Sequence, residues 1–138
     1  MKPLISVIMS VYNDSKNIRN SIESILNQDF KNFEFLIMDD GSTDESYEII
    51  DIYSKDTRVK VFKNNENLGL TKSLNILLEA SQGTFIARQD SDDLSLTSRF
   101  TKQLEFIKNK NLDVCGSRAI IKGTTNVTPN RSFYLPLK

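Results

Sequence analysis

The sequence predicts a doubly wound α/β fold, a mostly parallel sheet with helices on both faces. Three observations predict it. Short, near-continuous apolar runs rich in Ile, Val, Phe and Met suit strands buried on both sides. Between them lie stretches whose apolar residues recur every three or four positions, the period of a helix with one buried stripe. Turn and capping residues separate the two kinds of segment, so strands and helices alternate, and that order requires right-handed crossovers between parallel neighbours.

Leu4 to Val11 forms the first apolar run. After Tyr12-Asn13-Asp14-Ser15, the residues Ile18, Ile22, Ile25 and Leu26 keep helical spacing, with Asp14 or Ser15 available to cap the first turn. Phe33 to Met38 is the second strand. Asp39 to Asp44 then supplies a turn before Tyr47, Ile50 and Tyr53 resume the helical period. Val59 to Phe62 makes a third strand. Leu70, Leu74, Leu77 and Leu78 mark a third helix, read as a core stripe, with Gly83 placed as its C-cap. Phe85 to Ala87 starts a fourth strand, and Phe100, Leu104 and Ile107 give a fourth helical stripe. Asp113 to Ile121 reads as a fifth strand breaking at Gly123; beyond it no strong period remains.

The length of 138 residues fits a single domain, 1–138, able to bury a core without disulfide or metal staples. Lysine plus arginine balances aspartate plus glutamate at 18 each, so no net field favours nucleic acid. The lone Cys115 and the absence of histidine exclude disulfide frameworks, multi-cysteine zinc sites and Ser-His catalysis, so oxygen ligands are expected for any metal. No apolar run reaches a membrane span and the start lacks a signal-peptide pattern; the expected compartment is the cytoplasm.

In doubly wound sheets ligands bind beyond the carboxyl ends of the strands. That rule selects Ser10 to Asn13, Asp39 to Thr43 and Asp90 to Asp93. Two acidic clusters, Asp39-Asp40 and Asp90-Ser91-Asp92-Asp93, follow different strands and are expected to approach one crevice. Unrelieved they would repel. Mg²⁺ or Mn²⁺ removes the repulsion, typically held by one or two carboxylates while substrate phosphate oxygens complete the shell. An isolated Asp pair is more often turn chemistry; placement at strand ends favours the cation. Tyr12 offers a ring face to a nucleobase or an anchor to the core edge. Neither a P-loop nor a Gly-x-Gly-x-x-Gly follows the first strand, which disfavours glycine-cradled phosphates.

Ser6 to Asn13, Phe35 to Asp44, Asn67-Leu68-Gly69-Leu70 with Leu74-Asn75, and Ala87 to Asp93, taken in this order and spacing, resemble inverting family 2 glycosyltransferases of the GT-A fold. The resemblance covers most of the chain. It implies that Ser10, Tyr12 and Asn13 line a nucleoside pocket, with Tyr12 near the base and Asp40 accepting a hydrogen bond from it. It further implies that Asp90-Ser91-Asp92 is a DxD motif, with Asp92 on the metal, Asp90 on ribose or metal, and Ser91 beside the nucleotide. Lys72 falls where relatives carry a basic residue toward the nucleotide. The donor implied is a nucleoside diphosphate sugar, UDP-sugar first, and the acceptor a glycan or a lipid-linked sugar.

Two nearby residues carry open alternatives and a third has a single reading. Asp93 orients the loop or caps the next helix, Arg88 pairs with the acidic cluster or touches diphosphate, and Arg99 is read as a helix-face residue. Inverting transfer needs a carboxylate base, which the resemblance places in an acceptor-binding half, often in a Glu-Asp pair. No Glu-Asp dipeptide occurs here. The base is therefore expected beyond Lys138, with peripheral membrane association and acceptor binding as properties of a longer enzyme. Self-association through uncovered apolar surface is a further expectation. The runner-up is a non-catalytic nucleotide-sugar binder. A receiver-type phosphoacceptor domain would want an acidic pair after the first strand, where Tyr12-Asn13 stands.

Overall fold

A computed structural model describes residues 2–117, and the chain divides into two compact units, Met1–Phe100 and Thr101–Lys138. The first unit contains β1 (Ile5–Val11), α1 (Ile18–Leu26), β2 (Phe33–Asp39), α2 (Ser46–Ile52), a single 3₁₀ turn (Tyr53–Lys55), β3 (Val59–Lys63), α3 (Leu70–Ala80) and β4 (Phe85–Arg88). Helix α4 (Arg99–Lys110) begins at its end and continues into the second unit.

The four strands are all parallel, in the order β3-β2-β1-β4. From β1 the chain moves outward to β2 and β3, then returns to lay β4 on the other side of β1. The direction of winding therefore reverses between β1 and β4, the place where such sheets open a ligand crevice at their carboxyl ends. Register sets Val11 opposite Asp39 and Ile8 opposite Arg88, so β1 and β2 run past the end of β4.

Alternate residues of a strand face opposite sides. Ser21 of α1 lies 3.7 Å, Oγ to Sδ, from Met9, which places α1 on the face of Val7, Met9, Phe35 and Ile37. On the other face Ile8, Leu36 and Met38 pack with Leu77 of α3, bordered by Phe62, Leu74 and Ala80. Helices thus cover both faces, the doubly wound arrangement expected from the period. Every residue of β2 is buried because it is flanked on two edges and two faces.

Several local expectations need correction. The Leu stripe is only partly core: Leu77 is fully buried, but Leu70 and Leu78 are 48% and 43% exposed. Leu78 lies about 100° around the helix from Leu77, and Leu70 is the helix's first residue. Gly83 does not cap α3, whose C-cap is Ser81. It is needed for close approach instead, since a Cβ there would sit 2.5 Å from the Ser6 backbone nitrogen. The first turn of α1 has no side-chain cap; backbone amides of Asn17 and Ile18 bond the Asp14 carbonyl. Residues 113–117 carry no strand, and the rest of the expected fifth strand, with Gly123, lies outside the described residues. Within the second unit α4 ends at Asn111, whose φ of 51° and the Leu112 N–H to Ile107 carbonyl bond of 3.0 Å close a left-handed C-terminal turn.

Candidate functional site

The carboxyl edge is assembled from three loops, and hydrogen bonds to amides and hydroxyls hold each in place. After β1, Asn13 adopts φ 51°, a left-handed conformation that Asn tolerates better than most residues. Its side-chain oxygen accepts the Thr43 amide at 2.8 Å and the Asp44 amide at 3.3 Å, while its own amide donates to Ser42 Oγ at 3.0 Å. Asp44 completes the stitch: Oδ2 accepts the Ser15 amide and Oδ1 the Ser46 amide, both at 3.0 Å. Burial alone would raise the Asp44 carboxyl, but hydrogen bonds from Ser46 and Ser15 outweigh it and hold its pKa down at about 2. Asn13 is thus exposed at the edge yet spends its oxygen on loop architecture.

The depressed Asp44 value has a testable consequence. A carboxyl whose folded pKa lies below its ordinary 3.8 stabilises the fold above that value, and the contribution disappears as pH falls toward about 2. Asp44→Asn is expected to unfold at lower denaturant than the parent at neutral pH. The gap should shrink between about pH 4 and pH 2, measured by urea titration at each pH.

Asp39 and Asp40 do not act as a pair, because consecutive residues at a strand end face opposite ways. Both carboxylate oxygens of Asp39 are buried and accept no hydrogen bond among the described residues. A buried carboxylate without a partner is costly, the kind of local inconsistency found at functional edges. Asp40, 2% exposed, does the opposite. Its Oδ1 accepts Asn64 Nδ2 at 2.7 Å and the Leu68 amide at 2.9 Å, and its Oδ2 the Gly69 amide at 2.9 Å. Burial works against ionisation, but bonds from Asn64, the Leu68 amide, Ser73 and the Gly69 amide prevail and keep the carboxyl below its ordinary range. Asp40 therefore anchors the β3–α3 loop. Gly41, at φ +72°, lets this loop pass: a Cβ there would lie 2.5 Å from the Glu66 carbonyl carbon.

The third loop follows β4. The Asp93 amide bonds the Asp90 carbonyl at 3.2 Å, closing a turn with Ser91 and Asp92 at its apex. Arg88 pairs with Asp90 at 2.8 Å, the structural one of its two expected roles. Asp92 and Asp93 are exposed, and their carboxylates make no hydrogen bond or ion pair among the described residues. Asp93 caps nothing, since α4 starts only at Arg99. Arg99 opens α4, as read, but its side chain turns to the loop rather than to solvent. Its Nη1 donates to Gln89 Oε1 and Ser95 Oγ, both at 2.8 Å, and its Nη2 to the Arg88 carbonyl at 2.9 Å.

The other predicted residues are placed as follows. Tyr12 is 49% exposed just past β1, Ser10 and Ser91 are half-buried, and Lys72 is exposed in the first turn of α3. The two acidic clusters share the carboxyl edge but form no cage: among the described residues no three Asp, Glu, His or Cys side chains converge to hold a metal. The donor chemistry still suits Mg²⁺ or Mn²⁺. The uncommitted oxygens of Asp92, with Oδ2 of Asp90, whose Oδ1 is held by Arg88, fit the one or two carboxylates such a cation takes when phosphate supplies the rest.

Fold and edge together define a doubly wound α/β domain with an oxygen-donor turn at its switch point. Comparison with known proteins narrows that class. The profile of Glycosyl transferase family 2 matches residues 6–138, and the chain belongs to that family. EpsE, a candidate glycosyltransferase of Bacillus subtilis (strain 168), is 41% identical over 122 residues, covering 86% of this chain and 44% of that protein. Escherichia coli WfaP, a UDP-Glc:alpha-D-GlcNAc-diphosphoundecaprenol beta-1,3-glucosyltransferase, is 37% identical over 107 residues, covering 78% of this chain and 42% of WfaP. Among solved structures, Staphylococcus aureus TarS 1–349 in complex with UDP-GlcNAc superposes with a TM-score of 0.73 at 32% identity, over 80% of this chain and 32% of that one. The chain thus spans less than half the length of the curated relatives it matches. No helix among the described residues is long and apolar enough to cross a membrane.

Proposed function

We propose that this chain supplies the donor site of a glycosyltransferase, binding a UDP-sugar through a divalent cation for inverting transfer to a glycan or lipid-linked acceptor. The observation that carries the reading is the turn Asp90–Asp93, which presents the carboxylates of Asp92 and Asp93, without partners among the described residues, beside the β1–β4 switch point. Its roles divide along the edge. Tyr12 and Ser10 flank the nucleoside, and Asn13 shapes that side through its bonds to the 42–44 loop. Asp40 fixes the β3–α3 loop and accepts a hydrogen bond from an imide N–H of the base. Asp92 and Asp90 hold Mn²⁺ or Mg²⁺, which would neutralise the departing diphosphate. Ser91 sits beside them, and Lys72 lies on the neighbouring helix as a cation toward phosphate. The catalytic base belongs to the acceptor side of the complete enzyme, and no described residue is assigned to it.

The test is calorimetry of UDP binding with Mn²⁺ and with EDTA. Affinity is expected to fall at least about tenfold on chelation, because acidic groups otherwise face an anionic ligand. Equal affinity in the two conditions would remove the cation from the site.

A further inference from the structure

Beneath the acidic turn lies a buried polar side chain that the donor-site reading does not use. Gln89 is 3% exposed, one residue past β4, on the face covered by α1. Its amide nitrogen shares two hydrogens among three acceptors, the Asp93 carbonyl at 2.8 Å, Ser21 Oγ at 3.1 Å and the Asp90 carbonyl at 3.2 Å. Asp90 and Asp93 are the first and last residues of the turn, so one side chain grips both ends of it. Ser21 Oγ reinforces the first end, 3.0 Å from the Asp90 carbonyl.

The orientation of that amide is fixed from the other side. Its oxygen accepts Arg99 Nη1 and Ser95 Oγ, each at 2.8 Å. Guanidinium has donors only, so the amide oxygen must face Arg99 and the nitrogen must face the turn. Further along, the Ser95 amide donates to Ser24 Oγ at 3.0 Å, and Gln28 Nε2 to the Leu96 carbonyl at 2.8 Å. The outgoing chain is thereby tied to α1. Apolar packing does little for this loop, since Leu94 and Leu96 are 67% and 77% exposed.

We propose that Gln89, held in one orientation by Arg99, is the positioning residue that sets the Asp90–Asp93 turn for cation and diphosphate. The inference rests on the donor-site reading above. Gln89→Glu is the sharpest variant, of equal size but with an acceptor where the two turn carbonyls need a donor. Groups standing behind metal ligands typically change metal affinity by about 10–100-fold. The measured quantity is the ratio of UDP affinity in Mn²⁺ to that in EDTA, by calorimetry, with thermal unfolding as a fold check. Gln89→Glu is expected to lower the ratio at least about tenfold while leaving the EDTA value within about twofold. Arg99→Lys, which keeps charge but loses the planar fork, should lower it in the same direction at a smaller cost to the fold.

Asp92→Ala separates the two ideas. If it abolishes the Mn²⁺ gain while Gln89→Glu and Arg99→Lys retain it, the positioning role is wrong and the donor site stands. If Asp92→Ala leaves the gain intact, the cation reading falls and this inference with it. Equal losses in Mn²⁺ and EDTA for both folded variants would also overturn it, because the effect would then be general to the pocket.

Discussion

Asp92→Ala is expected to remove most of the affinity that Mn²⁺ adds to UDP binding, on the order of 100-fold, while leaving stability almost unchanged. The size follows from its position. Asp92 sits at the exposed apex of a turn and makes no hydrogen bond or ion pair among the described residues, so truncation disturbs no internal contact. Surface substitutions of that kind usually stay within about 0.5 kcal/mol. Asp93→Ala is the matched control, one residue along, also exposed, its carboxylate also without a partner among the described residues. Calorimetry of UDP with Mn²⁺ on the two variants, beside urea titrations, reads the difference. Similar losses from both would show that the turn contributes diffuse charge and not a defined ligand.

Asp40→Ala should behave in the opposite manner, costing about 3 kcal/mol of stability and with it the nucleoside side of the site. Hydrogen bonds to a charged group contribute roughly 1.5–3 kcal/mol each, and those from Asn64, Leu68 and Gly69 are among the ones lost here, partly recovered by water at the Leu68 and Gly69 amides. Uridine, which carries no phosphate, is expected to bind Asp40→Ala more weakly and Asp92→Ala as it binds the parent. Asn64→Ala removes the Asn64 bonds to Asp40 and Ser73 and leaves the Asp40 carboxylate in place. If it weakens uridine as much as Asp40→Ala does, Asp40 acts through the loop alone. Urea titration and uridine-detected NMR separate the stability effect from the binding effect.

The strands were legible because the sheet is buried on both faces: runs such as Val7 to Met9 and Phe35 to Met38 have no polar phase to confuse their period. Helix stripes were equally clear, but the stripe does not say which leucine meets the sheet. Leu77 does so fully, while Leu78 turns away. Short-range chemistry gave the loop positions and offered, as one of two roles, the pairing of Arg88 with the acidic cluster that the structure shows at Asp90, two residues away. Long-range polar contacts were not visible. Arg99 reads as a solvated helix residue until its partner Gln89, ten residues earlier, is brought beneath it. One signal was available for Gln89. Phe85, Ala87 and Gln89 fall on one phase of a strand, and a polar residue continuing an inward phase needs partners inside. The same limit applied to Asp40, whose backbone partners at Leu68 and Gly69 lie 28 and 29 residues away.

The pinned turn after β4 has a consequence for the thermodynamics of any ligand it meets. A loop that orders only when its ligand arrives incurs roughly 1–2 kcal/mol of backbone entropy per residue at that moment. Here Gln89, Ser21, Ser24 and Gln28 bond the segment between Asp90 and Leu96 as part of folding itself. The ordering cost is met before association, so the carboxylates are preorganised and binding enthalpy is not offset by the freezing of this loop.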